Sequence, residues 1–183
     1  MIKSNNIIER DMLDLLRECK GKKIEYLLRA EIGKKTSFEV VILRFKEYDL
    51  EIWSLEQPDK EGGVSDLAKT IVIKNPAKDS PCPVGKYGKN GEVLPGEYVK
   101  KPIGKVISGI TVYNELVRWT NEYGDFLLAN TYAIVISLGK RYLHIVKDIY
   151  WTEEWDVSFN RTAVPEKPIC DDDEIVSYSS FEL

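Results

Sequence analysis

The stretch "FLLANTYAIVISLGKRYLHIVKDIYW", from Phe126 to Trp151, carries the strongest secondary-structure pattern in the chain. β-Branched and aromatic residues fill both of its halves, and the glycine-containing segment "GKR" at 139–141 separates them. Two such halves around a short loop are typical of a β-hairpin. We therefore predict a fold organised around an antiparallel sheet.

The segments before this hairpin predict one helix and several further strands. Apolar residues recur at helical spacing in residues 7–20, and Asn6 and Glu9 have the spacing of a capping pair. The members of this apolar face are Ile8, Met12, Leu15, Leu16 and Cys19. Alternating or continuous apolar runs predict strands at 22–32, 37–45, 50–55 and 68–74.

A second helix is predicted shortly before the hairpin, ending at Gly124. The residues at helical spacing there are Tyr113, Leu116, Val117, Thr120 and Tyr123. This order of elements predicts an α+β fold. It would have a mostly antiparallel sheet of about six to seven strands, two helices on one face and one long excursion rich in Gly, Pro and Lys.

The length of 183 residues is that of one ordinary domain. We predict a single domain over residues 1–183, with a long flap or hairpin excursion at 75–105 and an acidic C-terminal segment at 160–183. No apolar run approaches the roughly 18 residues that span a bilayer, and the first residues lack a secretory pattern. These observations predict a cytoplasmic protein without a membrane partner.

Cysteine and histidine usage limits the metal chemistry. Cys19, Cys82 and Cys170 are widely spaced without a C-x-x-C pair, and His144 is the only histidine. A disulfide framework, a zinc ribbon and a multi-histidine centre are therefore not indicated, whereas a carboxylate-only Mg²⁺ or Ca²⁺ site is left open. We predict no cofactor and assign no metal ligand.

Charge is divided unevenly along the chain, whose net charge is −4. Residues 74–106 hold 7 basic and 3 acidic side chains, whereas residues 152–183 hold 2 basic and 9 acidic ones. Two regions of opposite sign either pair with each other or attract different partners.

The basic region has the composition of a nucleic-acid contact. Lysines alternate there with tyrosines that stack or donate hydrogen bonds. The flap residues with this chemistry are Lys86, Tyr87, Lys89, Tyr98, Lys100 and Lys101, followed by Lys105. A solvated loop that the lysines keep soluble is the alternative. A phosphate-binding nucleotide loop is disfavoured, because no Gly-Lys-Ser/Thr triplet occurs and Pro95 and Pro102 oppose a following helix.

The acidic region combines carboxylates with large aromatic side chains. Such a surface suits a basic protein or nucleoprotein partner, since the carboxylates steer the encounter and the rings supply affinity. The predicted partner-binding residues are Tyr150, Trp151, Glu153, Glu154, Trp155 and Asp156. A hydrophobic core containing the tryptophans, or a contact between this region and the flap, is the alternative.

Catalytic candidates are few. His144 lies on a predicted strand, where Asp148 is positioned to orient it and Arg141 or Lys147 to stabilise an anion. These groups would suit phosphodiester cleavage, but a lone histidine on a strand is more often structural. The sequence contains no G-x-S-x-G, H-E-x-x-H or dinucleotide motif.

Three functional hypotheses follow from these patterns. The first is a binding protein that inhibits or neutralises a macromolecular partner, as immunity proteins and phage anti-defence inhibitors do, through the acidic aromatic surface and the basic flap. The second is a small nuclease or phosphodiesterase that uses His144. The third is a nucleic-acid-binding module that uses the lysine-rich flap.

Overall fold

The structure is a computed structural model that describes residues 2–31, 40–56, 68–77, 82–87, 93–121, 124–147, 155–167 and 174–183. No helix within these ranges is long and apolar enough to cross a membrane. The elements, in chain order, are β1 (Ile2–Asn6), α1 (Arg10–Arg17), β2 (Lys23–Glu31), β3 (Val40–Arg44), β4 (Tyr48–Glu56), β5 (Ala68–Pro76), β6 (Cys82–Tyr87), β7 (Val93–Val106), β8 (Gly109–Asn121), β9 (Gly124–Ser137), β10 (Tyr142–Lys147), β11 (Trp155–Asn160) and β12 (Glu174–Glu182).

The α+β prediction is wrong, because the described residues form two six-stranded sheets and a single helix. The second predicted helix lies in β8 as far as Asn121. The residues at helical spacing there, Tyr113, Leu116, Val117 and Thr120, belong to a strand whose buried face changes along its length. Val112 and Asn114 are buried, and then Glu115 and Val117 are buried instead. This change interrupts the period of two that identifies a strand covered on one face.

Sheet 1 has the strand order β11-β10-β9-β8-β12. β10 pairs antiparallel with β9, so the hairpin predicted around "GKR" is confirmed. β1 pairs in parallel with the first half of β9, from Phe126 to Asn130. Because β8 occupies the other edge of β9, β1 and β10 follow one another along the same edge.

Sheet 2 has the strand order β5-β4-β3-β2-β7-β6, and all of its pairs are antiparallel. The strands predicted between residues 22 and 74 correspond to β2, β3, β4 and β5, which form the first part of this sheet. β7 pairs with β2 and β6 pairs with β7, so residues 82–87 and 93–106 lie at one end of sheet 2. The division into one domain, a flap and an acidic segment stays a prediction.

Both sheets contribute to one hydrophobic core. Sheet 2 supplies Ile24, Leu27, Leu43, Leu50 and Ile52, and sheet 1 supplies Ile110, Val112, Ile134, Ile136, Leu143 and Ile145. A hydrogen bond from the Thr70 hydroxyl to the Thr131 carbonyl oxygen, 3.4 Å long, also joins β5 to β9. The fold is therefore a two-layer β architecture whose layers share their inner faces.

The helix α1 packs against this core and beside β5. Its predicted apolar face is confirmed, since Leu16 and Cys19 are fully buried and the other members are buried or packed against the core. The predicted capping pair is wrong. Glu9 is the N-cap without a side-chain capping hydrogen bond, and Asn6 belongs to β1. Glu9 instead forms an ion pair with Lys69 of β5.

Candidate functional site

A groove of about 750 Å³ lies between one end of sheet 2 and the β9–β10 turn of sheet 1. Its volume is within the range of about 300–1,000 Å³ that small-molecule and cofactor sites occupy. One wall is the C-terminal part of β7, with Lys101, Ile103 and Lys105. The opposite wall is the β9–β10 turn together with the end of β11, and it includes Leu138, Lys140, Arg141 and Phe159.

A β-bulge shapes the first wall. Ile24 pairs with Lys105 and Leu27 pairs with Lys101, so β7 has one residue more than β2 in this interval. Gly104 lies within the bulge at a φ of 62°, a conformation that glycine adopts without steric cost. Lys101 and Lys105, the partners of Leu27 and Ile24 on either side of the bulge, are both exposed and both line the groove.

The β9–β10 turn carries two exposed cations on the second wall. The Leu138 N–H donates to the Arg141 carbonyl oxygen at 2.8 Å and closes the turn. Gly139 has a φ of 81°, in the left-handed region that favours glycine in tight turns. The turn therefore holds the adjacent residues Lys140 and Arg141 at the rim of the groove, where both are exposed.

Phe159 contributes an aromatic side chain to the same wall. It pairs with Leu143 in the β10–β11 ladder, and its side chain packs partly against the core. The Lys101 Nζ lies 4.3 Å from the centre of its ring. This distance is typical of a cation–π contact. Because the lysine side chain is flexible, its ammonium is able to move away from the ring.

The charged side chains that line the groove in the described part of the chain are all basic. Lys101, Lys105, Lys140 and Arg141 line it, and no carboxylate does so among the residues that the structure describes. Clustered cations beside apolar walls produce a positive potential that concentrates anions. The groove therefore suits an anionic ligand that also has an apolar or aromatic part.

Of the remaining flap residues, Tyr98 and Lys100 are described with their side chains, and both contact other parts of sheet 2. The Lys100 Nζ lies 4.0 Å from the ring centre of Tyr26, and Tyr98 lines a separate depression of about 230 Å³ beside Arg44. The backbone of Lys86 and Tyr87 belongs to β6. Lys89 lies outside the described residues.

His144, the predicted catalytic base, is buried, and both of its ring nitrogens form hydrogen bonds within the protein. Its Nε2 donates to the Thr162 carbonyl oxygen at 2.8 Å, and its Nδ1 accepts from the Asn160 amide at 3.1 Å. Both ring nitrogens are therefore occupied, and the ring fastens the segment after β11 to sheet 1. Asp148, the predicted orienting residue, lies outside the described residues. Arg141, the third candidate, lies at the rim of the groove.

The acidic aromatic residues are described only in part. The Trp155 side chain is fully buried in the core, and Asp156 is exposed. A partner therefore cannot reach the Trp155 ring in this fold. The other four predicted partner-binding residues, Tyr150, Trp151, Glu153 and Glu154, lie outside the described part of the chain. A role for them in partner binding stays a prediction.

Lys147 belongs to a buried polar cluster, not to an accessible anion site. Its Nζ is fully buried and donates to the Ala68 carbonyl oxygen at 2.5 Å and to Asn130 Oδ1 at 3.2 Å. Burial lowers the pKa of Lys147 to about 7, although the nearby Glu115 carboxylate acts in the opposite direction. Burial likewise raises the pKa of Glu115, whose carboxylate accepts from Asn130 at 3.1 Å.

Among the residues that the structure describes, no group of three or more His, Cys, Asp or Glu side chains is placed to hold a metal ion. Comparisons with protein-family models, with curated proteins and with solved structures find no match for this chain.

The sequence predictions missed that the groove combines three distant segments. Lys101 was predicted to contact nucleic acid because its segment is rich in lysine. Lys140 and Phe159 were not assigned to the same surface, although both line the groove. The available signal was the pair of cations in the predicted "GKR" turn. A turn of this kind projects its side chains beyond the sheet, where a second basic segment is able to meet them.

Proposed function

We propose that this protein binds nucleic acid, holding a phosphate backbone in the basic groove. The observation that carries this proposal is the convergence of Lys101, Lys105, Lys140 and Arg141 on one groove without a carboxylate among its described lining residues. Lysine and arginine contacts to phosphates release condensed counterions, which supplies much of the affinity of nucleic-acid complexes. The proposed location is the cytoplasm, as the sequence predicts.

Two features support binding over cleavage. Both nitrogens of His144 are hydrogen-bonded to protein groups, so neither is directed toward a ligand. The cations at the groove are exposed, as suits phosphate contacts that position a ligand. The inhibitory role predicted from the acidic aromatic surface remains a separate proposal, since most of its residues lie outside the described ranges.

Binding is tested with labelled oligonucleotides, both single-stranded and duplex, in fluorescence anisotropy titrations. We expect Lys105→Glu and Arg141→Glu each to weaken binding about tenfold or more, because each removes a phosphate contact and adds repulsion. Lys46→Glu is the matched control. It changes the net charge equally, but Lys46 is exposed in the turn between β3 and β4 and does not line the groove.

The Lys46→Glu control separates an effect of the groove from an effect of net charge. Equal loss in all three variants would show that only the overall charge matters, and the groove would lose its assignment. Absence of measurable binding by the unmodified protein to any oligonucleotide at low salt would overturn the proposed function.

A further inference from the structure

We infer that the groove binds a single strand of nucleic acid and stacks one of its bases on the ring of Phe159. This inference rests on the proposed function and specifies the ligand of the same groove. Three features lead to it: the open shape of the groove, the aromatic ring in its wall, and the apolar side chains among the described residues that line it.

The shape of the groove favours a polymer. Lys105, Lys140 and Arg141 are exposed along its two walls, so a bound chain is able to enter and leave without enclosure. Sites for free small molecules instead bury about 70–90% of their ligand. A strand compensates for shallow burial by contacting several cations at once, which a single mononucleotide does less well.

The ring of Phe159 provides a stacking surface. The Lys101 ammonium now lies over this ring at 4.3 Å from its centre, which marks the face that is open to a cation. A nucleobase on that face displaces the ammonium, and Lys101 then becomes available to a neighbouring phosphate. The exchange replaces one cation–π contact with a base stack and a charge pair.

The apolar side chains of the groove indicate tolerance of sequence. Pro102, Ile103 and Leu138 provide apolar side chains to the groove, and these cannot discriminate between the polar edges of the bases. The cations contact phosphates, which are the same at every position. We therefore expect affinity to depend on the presence of a base more than on its identity.

A duplex cannot stack a base on the Phe159 ring. Its bases are paired and stacked with one another, so none reaches the Phe159 ring without being extruded. Recognition by stacking on aromatic side chains accordingly requires unpaired bases. The inference thus predicts preference for a single strand over a duplex of equal length.

The test measures how the whole protein binds four probes. They are an oligothymidylate of about 12 nucleotides, an abasic strand of equal length, a duplex of equal length, and free thymidine monophosphate as a competitor. We expect the oligothymidylate to bind about fivefold to 100-fold tighter than the abasic strand. Phe159→Leu should remove this difference, whereas Phe159→Trp should preserve it. The leucine retains apolar volume in the core but has no aromatic face.

Phe181→Leu is the matched control, because Phe181 is also partly buried against the core but does not line the groove. It should leave the preference for bases unchanged. Thermal melting of each variant confirms that it is folded at the titration temperature. Photocrosslinking of a strand that contains iodouracil, followed by mass spectrometry, should locate the contact at Phe159.

The possible failures are distinct. If the abasic strand binds as tightly as the oligothymidylate, or the duplex binds more tightly, single-strand stacking is overturned while nucleic-acid binding stands. If micromolar thymidine monophosphate displaces the strand completely, the groove is a mononucleotide site and the inference is wrong. If no probe binds, the proposed function fails together with the inference.

Discussion

Lys147 is a fully buried cation that connects the two sheets. Its Nζ donates to the carbonyl oxygen of Ala68 in sheet 2 and to Asn130 in sheet 1. Two neighbouring donors, the Trp155 indole N–H and the Asn6 amide, are buried without an acceptor among the described residues. Burying a charge in this setting is costly, so the buried Lys147 ammonium loses its proton more readily than a lysine side chain in water does.

The stability of the protein should therefore rise between pH 7 and 9. The pKa of Lys147 is about 7 in the folded protein and about 10.4 in an unfolded chain, so the unfolded state binds more protons in this window. The free energy of unfolding should increase by about 1 kcal/mol per pH unit. Urea titrations at pH 7, 8 and 9 measure this slope.

Lys147→Met is the variant that isolates the effect. Methionine preserves the length of the side chain without a titratable group, so the variant should lose most of the pH slope. The raised pKa of the buried Cys19 thiol contributes a slope of opposite sign that both proteins share, because Lys147 is not among its causes. Parallel slopes in the two proteins would show that Lys147 is not the group responsible.

At the scale of the element, β8 shows what sequence periodicity does and does not determine. The strands β2 to β5 and the hairpin of β9 and β10 were predicted because each keeps a recognisable strand pattern between turn signals. Part of β8 was predicted to be a helix because Tyr113, Leu116, Val117 and Thr120 fall at helical spacing, whereas the residues that β8 buries change face between Asn114 and Glu115. That change depends on what covers each face, which is a property of the tertiary structure.

The bulge of β7 gives a prediction for this element. Gly104 has a φ of 62°, and a Cβ added to it would have no atom within 4 Å. Gly104→Ala should therefore destabilise the protein through backbone strain alone, by about 1–2 kcal/mol. Gly104→Asn should cost less, because asparagine adopts this conformation more readily.

Chemical denaturation of both Gly104 variants measures the difference, and Gly109→Ala supplies the control. Gly109 lies on β8 without a left-handed φ, and an added Cβ would make only an ordinary contact, 3.8 Å from Ser137 Cβ. An alanine at 104 that costs no more than the alanine at 109 would show that the bulge does not require its glycine.

At the scale of the whole molecule, an acidic protein presents a basic groove. The net charge is −4, although four cations and no described carboxylate line the groove. The sequence revealed a basic segment at 74–106, but it could not reveal which of its lysines meet the "GKR" turn. That meeting depends on β7 lying at one end of sheet 2 and on the position of the β9–β10 turn.

The salt dependence of nucleic-acid binding should reflect the number of cations in the groove and not the net charge of the protein. If all four cations contact phosphates of a single strand, the plot of log K against log salt should have a slope of about −3. Arg141→Gln should make this slope shallower by about 0.7, since it removes one contact. Lys46→Gln should leave it unchanged. A slope near zero for the unmodified protein would contradict phosphate binding in the groove.

The parallel pairing of β1 with β9 has a consequence for biosynthesis. Ile2 pairs with Phe126, so β1 has no partner strand until the ribosome has synthesised the chain as far as Phe126. At about 5–20 residues per second, this delay lasts roughly 6 to 25 seconds. During that interval the strand has an unpaired backbone, which is the state most open to chaperones and to mispairing with other nascent chains.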